Sequence, residues 1–465
     1  MASVLSQLRL ARCAALVGRT TRLCAVLSSL LCCTLFYGAG ARAASGEGVS
    51  TPSLPIATVV QVDHLPGVSR LNFELSGPVD ASAFVMAEPN RVIVDLPEIN
   101  FQIDPRAGVP VKKGARRHKA ALPERLISSF RFGLFAPGKS RIVIDLARPA
   151  KILRAQSQVQ PNGRNILQIE LADTDTASFR SEALNASLES LAKNSTPAIG
   201  SGEVVGLRGS SLPSGIARPV IVIDPGHGGI DSGAQGLSGA VEKNLVFEFS
   251  RTLQSQLEAG GRYRVLLTRS SDIFVPLAGR VKFAREANAA LFISIHADTL
   301  SEGAGVSGAT VYTVSDTASD KQAARLAEKE NDADAAAGMD RAEDGSDVSD
   351  ILFDLTRRET RAYSHVFARS LIQTWSAAGT LNKNPHRSAR FVVLKAPDVP
   401  SVLLELGYLS SEKDIAVLMK PQWREKAASI MVHAVDQFFA PRVGGNVEPA
   451  PDAGVPSQGV AAALH

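Results

Sequence analysis

Val220-Ile221-Val222-Ile223-Asp224-Pro225-Gly226-His227-Gly228-Gly229 is an apolar run that ends in a glycine-rich turn. Such a run is typical of a buried strand in a layered sheet. Similar runs recur downstream, and segments with helical spacing alternate with them. Residues 219–440 are therefore predicted to form an α/β domain, a mixed sheet with helices on both faces. The expected strands are Val220–Asp224, Tyr263–Thr268, Leu291–His296, Ala309–Val314, Phe391–Leu394 and Ser401–Leu406, and the expected helices are Lys243–Ala259, Leu277–Ala287, Asp320–Asn331, Val348–Ala378 and Pro421–Phe439.

Four residues of this region carry side chains suited to catalysis. His227 follows the first strand, His296 ends the third, Glu405 lies near the end of the last, and Glu242 opens a helix. Functional groups of open α/β sheets gather at the carboxyl ends of the strands. We therefore expect the four residues to converge on one rim.

Two histidines and a carboxylate are a ligand set that zinc uses, with a fourth position left for water. A second carboxylate near that water can act as general base. Glu405 is flanked by leucines, so burial is expected to raise its pKa. A histidine at a strand end is, however, often structural, and spacing alone leaves the zinc and the structural interpretations open.

The region before this domain has the pattern of short alternating strands separated by turns. Residues 56–172 are predicted to form an all-β sandwich domain without a catalytic constellation. Residues 173–218 are rich in Ser, Ala, Gly and Asn and are interpreted as a linker, and residues 441–465 as a disordered tail.

Residues 1–43 resemble a signal peptide, with a basic start, an apolar run at 23–37 and Ala41-Arg42-Ala43 as cleavage site. An uncleaved anchor is the alternative. This segment contains five arginines and no acid, so the net charge of +4 becomes about −1 without it. The pI near 8.9 therefore does not indicate nucleic-acid binding. All four cysteines lie here as well, which excludes a cysteine nucleophile, a disulfide or a thiolate metal site in the exported chain.

The α/β region resembles the zinc-dependent N-acetylmuramoyl-L-alanine amidases of the amidase-3 type. The resemblance covers residues 219 to about 440, and its most specific motif is Leu291-Phe292-Ile293-Ser294-Ile295-His296-Ala297-Asp298. The order His, Glu, His, Glu also agrees, at separations of 15, 54 and 109 residues. The β-rich region is similar to the AMIN domain that accompanies such enzymes, and together the two resemble the division-associated periplasmic amidases.

The resemblance implies roles for these residues. His227, Glu242 and His296 would bind Zn²⁺, and Glu405 would be the catalytic carboxylate. The substrate would be the peptidoglycan amide that joins N-acetylmuramic acid to L-alanine, and the AMIN domain would bind peptidoglycan. The location would be the periplasm, reached by the general secretory route because a twin-arginine pair is missing, with no stable membrane span after signal cleavage. A wall-binding scaffold or another zinc hydrolase of the wall are the competing hypotheses.

An acidic stretch from Glu330 to about Ala362 interrupts the α/β pattern. It is either a solvated loop joined to a core helix or, as the resemblance implies, an insert that covers the active site. In the second case a carboxylate would occupy the open zinc position until an activator with a LytM-like domain displaces the insert. The candidates for that carboxylate are Glu343, Asp344 and Asp347.

Overall fold

The computed structural model describes residues 54–109, 125–194, 218–236, 239–299, 306–339 and 351–443. The predicted signal peptide lies outside these ranges, as do Glu343, Asp344 and Asp347. Of the predicted tail, only residues 441–443 are described, and they continue the last helix.

Among the described residues between 56 and 173, nine strands form a β domain. They are β1 (Ile56–Leu65), β2 (Val68–Leu75), β3 (Ser82–Met86), β4 (Arg91–Pro97), β5 (Asn100–Phe101), β6 (Ile127–Ala136), β7 (Lys139–Leu146), β8 (Ala150–Val159) and β9 (Asn165–Asp173). The first sheet has the order β5-β1-β2-β9-β8 and the second β3-β4-β7-β6. Alternate residues of β2 are buried, as expected for a strand with one face in a core. The prediction of an N-terminal all-β sandwich is confirmed.

The segment after β9 differs from the prediction of a linker over 173–218. Residues Thr176–Asn194 form the helix α1. Phe179 is fully buried and Ala183 nearly so, and both belong to the core of the sandwich. The linker interpretation is therefore wrong for this part, because Phe179 and Ala183, four residues apart, anchor the helix to the sandwich, whereas Leu184 and Leu188 are exposed.

In the part of the α/β domain that the structure describes, six strands form the sheet. They are β10 (Val220–Pro225), β11 (Arg264–Leu267), β12 (Leu291–His296), β13 (Ala309–Val314), β14 (Leu381–Ala389) and β15 (Ser401–Glu405). Their order is β11-β10-β12-β15-β13-β14. All neighbours are parallel except β13 and β15, so the sheet is mixed as predicted.

Helices cover both faces of this sheet. They are α2 (Glu242–Ala259), α3 (Leu277–Glu286), α4 (Lys321–Asn331), α5 (Ala333–Ala336), α6 (Ile351–Trp375), α7 (Glu412–Leu418) and α8 (Pro421–Val443). One core joins the sheet to α2, α6, α7 and α8, and a second core joins the other face to α3 and α4. The predicted architecture is therefore confirmed. Among the described residues, no helix combines the length and the apolar character needed to cross a membrane.

The strand predicted at Phe391–Leu394 is wrong. Residues Val392–Leu394 form a 3-10 turn, and the strand lies earlier, at β14. β14 is a polar edge strand that contains Pro385, a residue tolerated only at edges, so its sequence lacks the apolar alternation of a central strand.

Candidate metal centre and active site

Three strands and one helix bring the predicted site residues to one rim of the sheet. β10 leads to His227, β12 ends at His296, β15 ends at Glu405, and α2 begins at Glu242. β12 and β15 are in register, so His296 and Glu405 are cross-strand neighbours. The expected convergence is observed: ligand atoms of His227, Glu242 and His296 all lie within 4.8 Å of one another.

One carboxylate oxygen of Glu242 faces both imidazoles. Oε1 lies 3.1 Å from His227 Nε2 and 3.2 Å from His296 Nδ1. The backbone fixes this carboxylate, because the amides of Ala234 and Ala297 donate to its oxygens at 2.8 Å each. Glu242 is therefore held in place independently of the histidines.

The hydrogen bonds of His227 determine which ring nitrogen is free. Its Nδ1 lies 2.8 Å from Asp231 Oδ2 and donates to that carboxylate, which leaves Nε2 to face the site. Nε2 is buried and makes no hydrogen bond of good geometry within the described residues, although Glu242 Oε1 lies 3.1 Å away. A proton or a metal ion on Nε2 would balance the negative charge of the buried Glu242 carboxylate. Histidines that bind a metal commonly have this arrangement, in which the other ring nitrogen donates a hydrogen bond to a carboxylate.

The charges of the site favour a cation in the same place. Burial lowers the pKa of His227, but Asp231, Glu242 and Glu330 outweigh it and hold that pKa well above its usual range. Burial raises the pKa of Glu242, yet the two histidines hold it well below its usual range. The donor set and its charge therefore fit a divalent metal ion.

The backbone around His227 is strained and supported by buried arginines. His227 has φ of 59°, a region that is costly for residues other than glycine. Arg280 Nη2 donates to the His227 carbonyl at 3.0 Å, and Arg269 Nη2 donates to the Gly226 carbonyl at 3.1 Å. A Cβ on Gly226 would lie 2.5 Å from the His296 ring, so only glycine allows this approach.

Glu405 is fully buried and lies next to the candidate metal ligands, as the cross-strand neighbour of His296. Its Oε2 accepts a hydrogen bond from the Asp298 amide at 2.9 Å, whereas Oε1 has no partner among the described residues. Burial, followed by the charges of Glu242, Asp298 and Glu330, raises the pKa of Glu405 well above its usual range. An unpartnered oxygen of raised pKa has the properties of a general base.

Glu330, in the last turn of α4, is a further member of the site that the sequence analysis did not assign. Its Oε2 lies 3.3 Å from His296 Nδ1 and 3.5 Å from His227 Nε2. Glu242 faces the same two nitrogens. The adjacent Lys329 forms an ion pair with Asp298. The last turn of α4 is therefore tied to the site at two points.

The amphipathic pattern of α4 contains a signal for Glu330. Its buried face has the spacing i, i+3, i+4 and i+7, made up of Ala323, Leu326, Ala327 and Glu330. A glutamate on the apolar face of a helix requires a buried partner. This residue is the first of the acidic stretch predicted to cover the site.

The chain is similar to known proteins in both of its domains. Residues 221–437 match the profile of the Amidase_3 family, N-acetylmuramoyl-L-alanine amidase, and residues 60–168 match the AMIN domain. The amidase AmiC of Escherichia coli O6:H1 is 30% identical over 412 residues, which is 87% of this chain and 95% of that protein. AmiC of Neisseria meningitidis serogroup B is 31% identical over 386 residues, 80% of this chain and 87% of that protein. Among solved structures, the amidase AmiC2 of Nostoc punctiforme has 25% identity and a TM-score of 0.35, covering 49% of this chain and 99% of that one.

The AmiC proteins of Escherichia coli and Neisseria meningitidis are similar to the chain over most of its length. The matched amidase region contains His227, Glu242, His296 and Glu405, and the AMIN match falls within the β domain. The chain therefore belongs to the N-acetylmuramoyl-L-alanine amidases of the AmiC type, enzymes of peptidoglycan amide hydrolysis with an N-terminal AMIN domain.

Proposed function

We propose that this chain is a zinc amidase in which His227, Glu242 and His296 hold the metal and Glu405 is the general base. The observation that carries the proposal is the convergence of ligand atoms from these three buried residues, which all lie within 4.8 Å of one another. When bound, zinc supplies a Lewis acid and a water of lowered pKa.

Glu405 moves the proton in this scheme. Its Oε1 takes a proton from the attacking water, whose oxygen bonds to the lactyl carbonyl carbon of N-acetylmuramic acid. Glu405 Oε1 then gives that proton to the L-alanine nitrogen as the amide bond breaks. The raised pKa makes Glu405 a stronger base than an exposed glutamate. No covalent bond to the chain is formed.

The assignment of Glu405 is tested by measuring zinc content beside wall digestion. Glu405→Gln should retain zinc but lose activity by about 100-fold or more, the contribution typical of a general base. His227→Ala should lose both. Glu412→Gln, an exposed glutamate of α7, is the control and should behave as the parent. Mass spectrometry of the digest should detect intact stem peptides freed from glycan. Normal activity of Glu405→Gln, or cleavage within the stem, would refute the scheme.

We also propose that Glu330 makes the enzyme autoinhibited. Its Oε2 lies 3.5 Å from His227 Nε2 and 3.3 Å from His296 Nδ1, so this carboxylate would compete with water or substrate for a zinc ion held by those residues. Substrate or water would then gain access only when α4 moves. Glu343, Asp344 and Asp347, the earlier candidates, lie outside the described residues, so Glu330 takes their place in the proposal.

Removing the Glu330 carboxylate should therefore raise activity in the absence of any partner. Glu330→Gln is compared with Glu328→Gln, an exposed neighbour on the same helix. If the first variant digests wall no faster than the second, autoinhibition through Glu330 is wrong.

We further propose that a protein with a LytM-like domain displaces α4 during daughter-cell separation in the periplasm, after export by the general secretory route. This step rests on the family resemblance.

The β domain is proposed to bind peptidoglycan and so to raise the local concentration of substrate. Its functional boundary extends beyond 56–172, because Phe179 and Ala183 of α1 complete its core. A fragment covering 56–194, shown to be folded by circular dichroism, should sediment with purified sacculi. Residues 219–440 would then be the catalytic domain. Failure of the folded fragment to sediment would contradict the targeting role.

A further inference from the structure

The second sheet of the β domain is buried on both faces. On β4 and β7, the residues that alternate with the sandwich core are Ile93 and Val143, and both are fully buried. They pack against Ile230, Phe274 and Ala337 of the α/β domain. We call the residues of the second sheet in this contact the outer face; they are Phe84, Met86, Ile93, Phe135, Arg141 and Val143.

The outer face forms hydrogen bonds with the segment that carries Glu330. Arg141 Nη1 donates hydrogen bonds to the carbonyls of Ala337 and Gly338, at 3.2 and 2.9 Å. Asp95 holds the guanidinium by two further bonds, at 2.6 and 2.9 Å. The Phe135 ring lies 3.7 Å from the guanidinium carbon. Arg141 is therefore fixed in the orientation that meets these two carbonyls.

The turn at Gly338 lies directly against the sheet. Its φ of 73° favours glycine, and a Cβ there would lie 2.5 Å from Ile93 Cδ1. We call residues 321–339 the blocking segment, which comprises α4, α5 and this turn. Two residues of this segment, eight positions apart, contact different parts of the protein. Glu330 lies at the candidate metal ligands, and Gly338 lies on the outer face.

The same sheet also contacts the loop that carries His227. The amide of Ile230 donates to the Leu134 carbonyl at 3.1 Å. A Cβ on Gly133 would lie 2.7 Å from the Gly229 carbonyl oxygen, so the two backbones touch. The outer face therefore contacts both the metal loop and the blocking segment, and it fixes one relative to the other.

We propose that the β domain, besides any role in wall binding, is the clamp that keeps Glu330 at the metal site. The inference rests on the proposed autoinhibition by Glu330. Opening of the active site then requires the blocking segment to separate from the outer face. Contacts that involve the β domain would be coupled in this way to activity in the other domain.

The clamp is tested with the full-length chain and two variants that weaken it from opposite sides. Arg141→Ala removes both hydrogen bonds to the blocking segment. Gly338→Ala forces the turn away from Ile93 and changes no residue of the β domain. Arg148→Ala is the control, because Arg148 forms a similar bidentate pair with Asp173 within the β domain. Thermal unfolding verifies that each variant is folded.

Two readouts are needed, amide hydrogen exchange of residues 326–339 and the rate of dye release from labelled sacculi. We expect Arg141→Ala and Gly338→Ala to speed exchange by about tenfold, since each loses contacts made only in the closed state. Dye release should rise by a similar factor, and the control should change neither. In a Glu330→Gln background, Arg141→Ala should add nothing to the rate, because the block is already absent.

The two proposals fail in different ways. If exchange is unchanged in both folded variants, the outer face does not hold the blocking segment and the clamp is wrong. A different outcome is that exchange rises in Arg141→Ala and Gly338→Ala while dye release rises only in Glu330→Gln. In that case the contact does not control the position of Glu330, and the clamp is also wrong. If Glu330→Gln itself is not activated, the autoinhibition fails, whereas the exchange result still decides whether the contact holds the segment.

Discussion

Arg280→Met is expected to destabilise the α/β domain strongly, because Arg280 supports the end of β10 from inside the protein. Arg280 is 2% exposed, and its Nη1 donates to Asp224 Oδ1 at 2.7 Å. The same side chain donates to the carbonyls of Pro225, His227 and Val275. Methionine keeps much of the volume of the side chain and removes every one of these contacts.

The magnitude follows from the carboxylate left behind. Asp224 is fully buried, and after the change only the hydroxyls of Thr268 and Ser294 remain as side-chain partners. Removing one partner of a buried ion pair typically costs about 3–5 kcal/mol, chiefly because the other charge is left uncompensated. For a domain of this size, about 2–4 °C of melting temperature is lost per kcal/mol. We therefore expect melting to fall by roughly 6–20 °C.

The assay is urea and thermal unfolding of four proteins in a double-mutant cycle: parent, Arg280→Met, Asp224→Asn and the double variant. The double variant should be more stable than the sum of the single losses predicts, by about 1 kcal/mol or more. Arg285→Met is the matched control on the same helix, since its pair with Asp398 is half-exposed, and it should cost at most about 1 kcal/mol. Additive single losses, or a loss in Arg280→Met no larger than in the control, would refute the reasoning.

Three other outcomes follow from the same region. Asp231→Ala should weaken metal binding by about 10–100-fold, measured by competition with a chromogenic chelator, because His227 loses the partner that orients its ring; unchanged affinity would contradict this role. Gly226→Ala should abolish metal binding in a chain that is still folded by circular dichroism, since its Cβ would meet the His296 ring, and a normal zinc content would show the approach to be looser. Burial raises the pKa of Asp224, but Arg280 and the two hydroxyls outweigh it and hold that pKa below its usual range. Its contribution to stability is therefore present above about pH 4 and is lost as pH falls through the lowered pKa, so the acid slope of urea-unfolding stability should be shallower in Asp224→Asn, and parallel slopes would argue against the linkage.

The pattern of the sequence predicts most of the α/β sheet because its central strands are apolar on both faces. Val220–Pro225 begins with four apolar residues before Asp224, and Leu291–His296 is apolar except for Ser294 until it ends at His296, which indicates both the strand and the rim. The positions of His227 and His296 follow from that pattern. The assignment of Glu242 as a metal ligand and of Glu405 as the catalytic carboxylate required the family resemblance, since the pattern predicts that both reach the rim but does not distinguish their roles.

Other features depended on contacts that the local pattern does not specify. β14 is a polar edge strand, so alternation could not reveal it. The contact between the two domains involves residues distant in sequence, although Val92-Ile93-Val94 did contain a signal. In a strand exposed on one face the middle residue would be polar, and its isoleucine indicates burial on both faces.

The strand order of the α/β domain has a consequence for how the enzyme is made. β15 lies between β12 and β13, yet it is the last strand of the sheet in the chain. A chain that emerges from its amino terminus therefore exposes β12 and β13 without their shared neighbour until residue 405 has appeared. Glu405 is the last of the four site residues to arrive, and it arrives by closing the middle of the sheet. A chain that has emerged only as far as β14 therefore lacks both the central strand and the candidate catalytic carboxylate, because completion of the sheet and completion of the site are the same late event.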